Sequence, residues 1–380
     1  MRVAIVCDWL TNVGGAEKVL LAVHRMYPEA PVYTSQYDPR GIDWFRDADV
    51  RTGWMQKLPA SWRRFLGWFR ARYFAKLDLS GYDVVISVTG AEAKAVKCVN
   101  EQTGRRAVHV SYCHVPTQYY WQMYDDYVKN PGFGVLDPVV RLAFRWLVGP
   151  LRRRDYEAAQ RVDQFVTISE YAKEMISKYY GREAEVVWPP VEVEAFSGGA
   201  HKGGDYYVVS SRQVTWKRLD LAVKACVKLG RKLVVVGEGP EHERLVEMAG
   251  DSPLVKFLPL AGREKLAQIL AGARGYIFPS LEPFGIAPVE ALAAGCPVIA
   301  FAQGGARDYV TDGENGVMFE KQTVKSLEEA MLRFEKMEFD RKKVSRSAEK
   351  FGEDRFVREL EKVVEGALKK EIKRRNGREK

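Results

Sequence analysis

The sequence predicts an α/β protein built from two doubly wound domains of mainly parallel sheet. Short apolar runs rich in Val and Ile alternate with longer amphipathic segments along the whole chain. The 380 residues, 46% of them hydrophobic, suffice for two cores rather than one. A Pro- and Gly-rich break near the middle, Trp188-Pro189-Pro190 through Gly203-Gly204, divides two such series. The expected boundaries are a first domain over 1–188, a connection over 189–204, a second domain over 205–352 and a terminal helix with a basic tail over 353–380.

In the first series, strands are expected at 2–7, 31–35, 83–88, 107–112 and 163–168, each a short apolar run bounded by polar or turn-forming residues. Helices are expected at 16–27, 62–76, 118–127, 135–148, 151–161 and 170–180, where apolar residues recur at three- and four-residue spacing. The second series places strands at 206–210, 232–236, 254–258, 275–279, 297–301 and 316–319, with helices between them. No internal repeat or low-complexity tract interrupts the pattern.

Composition narrows the function classes. The strand at Arg2–Cys7 leaves no room for a signal peptide ahead of it, and no apolar run approaches the ~18–20 residues of a spanning helix. The expectation is a cytoplasmic protein, soluble or peripheral on the inner face of the membrane. Cys7, Cys98, Cys113, Cys226 and Cys296 stand singly in apolar surroundings, which fits reduced core residues and not a disulfide or zinc framework.

The net charge of +9 is concentrated. Residues 51–76 hold seven basic residues and no acidic one, and 366–380 hold seven basic against two acidic. Within 51–76, Trp62, Phe65, Phe69 and Tyr73 recur at helical spacing while Arg63, Arg64, Arg70 and Arg72 fall largely elsewhere. A basic aromatic helix of this kind suits an anionic membrane surface, and a core helix with a solvated basic face is its equal rival. Nucleic acid is not expected, because no recognisable binding module accompanies the charge.

The most informative stretch is FPSLEPFGIAPVEALAAGCPVIAF at 278–301. Its reading is a buried strand, a turn from Ser280 to Gly285, an apolar helix opened by Pro288 and stopped by Gly295, then the next strand. The loop therefore sits at the carboxyl end of a parallel strand, where open sheets bind ligands, and the helix start offers free N–H groups. Glu282 and Glu290 can accept paired hydrogen bonds from vicinal hydroxyls of a sugar or ribose. The strand at 206–210 likewise runs into Ser211-Arg212-Gln213-Val214-Thr215-Trp216-Lys217-Arg218. Arg212 and Lys217 beside a helix start form a diphosphate site that needs no metal.

With Glu282, Phe284, Gly285 and Glu290, the pattern E-x-F-G-x-x-x-x-E resembles the signature of the large retaining glycosyltransferase family four. That resemblance implies the GT-B architecture, two Rossmann-like domains facing a central cleft. It implies that Arg212 and Lys217 clamp the nucleotide diphosphate and that Phe284, Gly285, Ile286 and Glu290 help bind the nucleotide sugar. One departure is Ser211, where the family usually has Gly. Val236-Gly237-Glu238-Gly239-Pro240 is similar to the family's G-x-G-P loop, a weak signal alone. In the first domain Gly14-Gly15 resembles the family's paired glycines facing donor diphosphate and sugar; with no G-K-[ST] after it, a Walker loop is excluded. His114, just past a strand end, matches the family's active-site histidine, which contacts the transferred sugar. The run YCH-x-P-x-x-Y-x-W at 112–121 is most similar to O-antigen and related polysaccharide mannosyltransferases, with Tyr119, Tyr120, Trp121 and Tyr124 as acceptor-side platforms or simply core.

The resemblance thus implies a retaining transferase, with His114 and Glu282 at the reacting sugar. It would move mannose from GDP-mannose to a glycan or lipid-linked acceptor, without further cofactor and without an essential metal. No carboxylate is assignable as nucleophile; the resemblance implies retention by a front-face attack in which the leaving phosphate takes the acceptor proton. Asp47-Ala48-Asp49 formally matches a D-x-D metal motif but reads as surface loop. The rivals are a UDP-sugar-dependent transferase or a nucleotide-sugar epimerase of the same fold, and a noncatalytic membrane-surface scaffold. Asp155 and Glu157 stay unassigned.

Overall fold

A computed structural model describes residues 1–59, 66–129, 134, 137–197 and 203–376. The chain forms two compact units, one of residues 1–189 together with 356–380, the other of residues 190–355.

The sheet of the first unit has seven parallel strands: β1 (Val3–Cys7), β2 (Val32–Thr34), β3 (Val50–Thr52), β4 (Val84–Thr89), β5 (Val108–Cys113), β6 (Gln164–Thr167) and β7 (Ala184–Val186), in the order β3-β2-β1-β4-β5-β6-β7. β1, β4 and β5 are buried along their whole length, as their apolar runs require of central strands covered on both faces. Strand order reverses between β1 and β4, so the loops leaving these two strands splay apart there. The closing helix Glu353–Asn376 contributes Phe356, Leu360, Val363, Val364 and Ala367 to buried positions, and its Phe356 ring meets Tyr112 of β5 at 5.6 Å.

The second unit has six parallel strands: β8 (Tyr206–Ser210), β9 (Lys232–Val236), β10 (Val255–Leu258), β11 (Gly275–Phe278), β12 (Val298–Phe301) and β13 (Gly316–Phe319), ordered β10-β9-β8-β11-β12-β13. Its switch point lies between β8 and β11. The core packs Val209, Val235, Ile277, Ile299 and Val317 from five neighbouring strands against Leu221, Cys226, Leu327 and Met331 from the covering helices.

The observed elements follow the expected ones, with a few differences. β3 and β7 are additional edge strands of three residues each. The helices expected at 135–148 and 151–161 are one helix, Asp137–Gln160, with Pro150 inside it. The helix expected at 62–76 begins at Gly67, with 60–65 outside the described residues. Part of 118–127 is turn, and the helix there is Tyr124–Lys129. Within 189–204 the chain is not all connection: Val191 N–H donates to Phe351 O at 2.9 Å and a short helix spans Glu194–Ser197. All five cysteines are buried and unbridged. Burial pushes the thiols of Cys98, Cys113, Cys226 and Cys296 up to about 12, so they stay protonated and inert.

Candidate active site

In the second unit, the loops after β8, β9, β11 and β12 converge at the carboxyl edge of the sheet. Lys217 ends a single 3-10 turn (Thr215–Lys217), and Arg218 follows in the left-handed conformation with φ 53°. That reversal sends the chain into the helix Leu219–Leu229. Lys217 Nζ lies 2.5 Å from Glu282 Oε2, and Ser280 Oγ–H donates to Glu282 Oε1 at 2.7 Å. The cation expected at a diphosphate and the carboxylate expected at a sugar are thus partners in one ion pair, and both are part-exposed. The Arg212 guanidinium is exposed on the same loop.

Glycines let these loops touch. Gln213, buried, donates from Nε2 to Gly237 O at 2.5 Å, and its backbone N–H donates to Glu238 O at 2.8 Å. A Cβ on Gly237 or Gly239 would collide with the carbonyls of Ser211 and Gln213. The G-x-G-P loop therefore serves the β8 loop through backbone approach. Gly305 N–H donates to Glu282 O at 2.8 Å, and a Cβ on Gly304 would strike that same carbonyl. The loop after β12 thus holds the backbone that carries Glu282.

Gly285, at φ 97°, caps the helix Ile286–Ala293, and a side chain there would meet Phe278 and Tyr309. Phe284 packs its ring on Tyr309 and Phe351 at 5.4 and 5.8 Å, so its side chain is core and its carbonyl accepts from the Tyr309 hydroxyl at 2.8 Å. Ile286 opens the helix and Glu290, one turn in, is buried. Beneath the loops, the Tyr276 hydroxyl donates to Ser210 O at 2.9 Å and ties the end of β8 to β11. Burial, reinforced by the charges of Glu282 and Glu290, raises its pKa far above the usual phenol, so it is a permanent donor.

In the first unit, Gly14 caps the helix Gly15–Met26 in extended backbone, with Gly15 exposed in its first turn. His114 follows β5, and its N–H donates to Thr89 O at 2.8 Å. Its ring meets Tyr112 at 5.7 Å, and its buried Nε2 has no hydrogen-bond partner among the described residues. Burial lowers its pKa to about 4, leaving a neutral imidazole suited to a hydroxyl and not to an anion.

Sequence reasoning missed the groups that hold this edge. Asp8, at the end of β1, accepts from Thr89 Oγ1 and from the N–H groups of Gly90, Ala91 and Ala93 at 2.8–3.0 Å. The signal was a carboxylate directly following a central strand. Glu92, buried, pairs with Arg70 at 2.9 Å and accepts from Tyr120 at 3.0 Å and from Tyr119. Lys94 and Asp155 form a second buried pair at 2.6 Å, and Asp155 also accepts from Thr117, Trp121 and Tyr180. Two sequence expectations change accordingly. Arg70 is only 3% exposed and stacks over Trp9, so it cannot face a membrane. Tyr119, Tyr120 and Trp121 spend their polar atoms on buried carboxylates, which is the core alternative. Arg63 and Arg64 lie outside the described residues. Asp49 pairs with Arg51 at 2.7 Å, both half-exposed, as surface residues do. Among the described residues no group of three or more His, Cys, Asp or Glu could hold a metal ion, and no helix is long and apolar enough to cross a membrane.

The architecture is that of GT-B glycosyltransferases, two units each with a doubly wound parallel sheet. Residues 191–351 match the family described as glycosyl transferases group 1. The chain is 33% identical over 163 residues to a D-inositol 3-phosphate glycosyltransferase of Frankia alni, covering 35% of this chain and 40% of that protein. It thus spans about two fifths of such relatives. Similarity to the mouse alpha-1,3/1,6-mannosyltransferase ALG2 is lower, 25%, but extends over 93% of both chains. Among solved structures, Anabaena Alr3699/HepE in complex with UDP superposes with TM-score 0.70 at 17% identity, over 96% of this chain and 100% of that one. The lipopolysaccharide outer core galactosyltransferase WaaB gives 0.69 at 14%, over 96% and 99%.

Proposed function

We propose that the chain is a glycosyltransferase using a nucleotide-sugar donor. The carrying observation is the Lys217–Glu282 ion pair at the switch point of the second sheet, with Glu290 one turn inside the helix that begins beside it. A donor diphosphate there competes with Glu282 for Lys217 and recruits the exposed Arg212. Glu282, relieved of its cation, accepts hydrogen bonds from sugar hydroxyls, and Glu290 takes the ribose. The anomeric C–O bond to phosphate breaks while a bond to the acceptor oxygen forms. The acceptor proton passes to a phosphate oxygen, and the charge left on the diphosphate rests on the two cations. In this reading the reaction retains configuration, needs no metal, and His114 meets a substrate hydroxyl through neutral Nε2.

The full-length similarity to a mannosyltransferase favours mannose, from GDP-mannose, and a glycan or lipid-linked acceptor. The second reading is a UDP-sugar donor, favoured by a structural neighbour that binds UDP and UDP-glucose. Calorimetric titration with GDP-mannose, GDP, UDP-glucose and UDP, followed by product analysis with excess EDTA present, decides between them. Tighter binding of GDP-mannose with transfer that survives chelation supports the first. Selective binding of UDP-glucose supports the second. Epimer release without acceptor, or no nucleotide binding at all, overturns both.

A further inference from the structure

The long helix Asp137–Gln160 turns one side to solvent, and that side changes character along its length. Val139 is 66% exposed, Leu142 60% and Trp146 78%. Their spacing of three and four puts them on one face, over consecutive turns. One exposed apolar residue is ordinary; three large ones in a row mark an interaction surface. Continued at the same period, that face carries Arg153, Arg154 and Glu157, with Arg161 just beyond the helix.

A cavity of about 380 Å³ opens at this basic half, against the helix Gly67–Lys76, with Arg72, Lys76, Arg154 and Arg161 in its lining. Two of its carboxylates are already neutralised, Glu92 by Arg70 and Asp155 by Lys94. The third, Glu157, pairs with Arg153 at 2.9 Å. The Arg154 guanidinium carbon stands over the Trp68 ring, 3.9 Å from its centroid, a contact that holds the guanidinium without using its N–H donors. The cavity is therefore cationic, and it follows directly along the helix from an apolar face.

We propose that this helix docks the first unit on an anionic phospholipid leaflet. Its apolar half enters the headgroup boundary, and headgroup phosphates meet the cavity cations. Residues 138–154 carry five Arg and no acidic residue, so a second copy laid on the same face would oppose like charges. A leaflet supplies both an apolar phase and negative charge, and a tryptophan at their boundary is favourably placed. The apolar contact therefore lies on this helix, and the expected helix at 62–76, whose Arg70 is buried, contributes Arg72 and Lys76 through the cavity.

The test is flotation of the full chain with vesicles of phosphatidylcholine alone or mixed with phosphatidylglycerol, at low and high salt, with no donor present. Binding should require phosphatidylglycerol and weaken with salt. Leu142→Glu with Trp146→Glu should lower the bound-to-free ratio at least about tenfold, and Arg72→Gln with Lys76→Gln and Arg154→Gln about as much. Trp146→Phe should keep binding but lose part of the fluorescence blue-shift. Equal binding by all variants, or equal binding to neutral vesicles at high salt, overturns the proposal. So does a lipid-free dimer that the glutamate variants convert to monomer, which would assign the face to a second copy.

Discussion

Lys217 and Glu282, sixty-five positions apart in sequence, form an ion pair at 2.5 Å between the loops that leave β8 and β11. Each therefore restrains the other until a ligand intervenes. Glu282→Gln should tighten binding of a free nucleoside diphosphate by up to about fivefold, the release of a part-exposed pair worth ~0.2–1 kcal/mol. It should lower transfer at the same time, because the reacting sugar loses its acceptor. Calorimetry against GDP and UDP, with steady-state kinetics beside it, reads both; weaker nucleotide binding in this variant would remove the competition between diphosphate and carboxylate.

Glu290→Ala should act differently. A buried carboxylate holding a ribose contributes a charged hydrogen bond of about 1.5–3 kcal/mol, so donor affinity should fall about tenfold or more with a smaller effect on kcat. Unchanged donor affinity would show that Glu290 is a structural group of the helix Ile286–Ala293.

Gly304 has φ 74° and no space beside the carbonyl of Glu282. Gly304→Ala should cost at least ~1–2 kcal/mol from backbone conformation alone and displace the loop that carries Glu282. The expected result is a lower melting temperature together with weaker donor binding. Loss of stability with intact donor binding would separate this glycine from the site.

Lys94→Met removes one half of a buried pair and leaves Asp155 charged among Thr117, Trp121 and Tyr180. Urea denaturation should report a loss of ~3–5 kcal/mol, and Lys94→Met with Asp155→Leu should recover much of it. A single variant as stable as the parent would contradict the closed network.

His109 and His114 have pKa values lowered by burial to about 3 and about 4, from an ordinary value of 6.5. The unfolded chain therefore binds protons below pH 6.5 that the folded chain refuses. Stability is fully present above pH 6.5 and falls as pH drops toward 4, by up to ~1.4 kcal/mol per pH unit for each histidine. Denaturation between pH 7 and 5 should show a shallower acid loss in His109→Asn than in the parent. Parallel curves would mean that His109 protonates without penalty.

The strands of the second unit were legible because each is a short buried run between turn residues, and the E-x-F-G loop because its special residues are local. β3 and β7 were not, since three-residue edge strands bearing Arg51 and Glu185 lack an apolar signature. Gly149-Pro150 reads as a helix break, yet both residues are exposed and the helix continues through them. The carboxylate anchors Asp8, Glu92 and Asp155 depend on partners up to 85 positions away, which no local pattern encodes. Gly304-Gly305 was within reach, as a glycine pair at a strand end like Gly14-Gly15.

The return of residues 356–380 to the first unit makes the second an insertion within it. During synthesis, residues 190–355 leave the ribosome as an uninterrupted whole, while the first unit still lacks the helix bearing Phe356, Leu360 and Val364. The later-encoded unit can thus finish folding first. Any chain shortened before residue 356 would expose the apolar seat of that helix, including Tyr112, and offer it to chaperones or to aggregation.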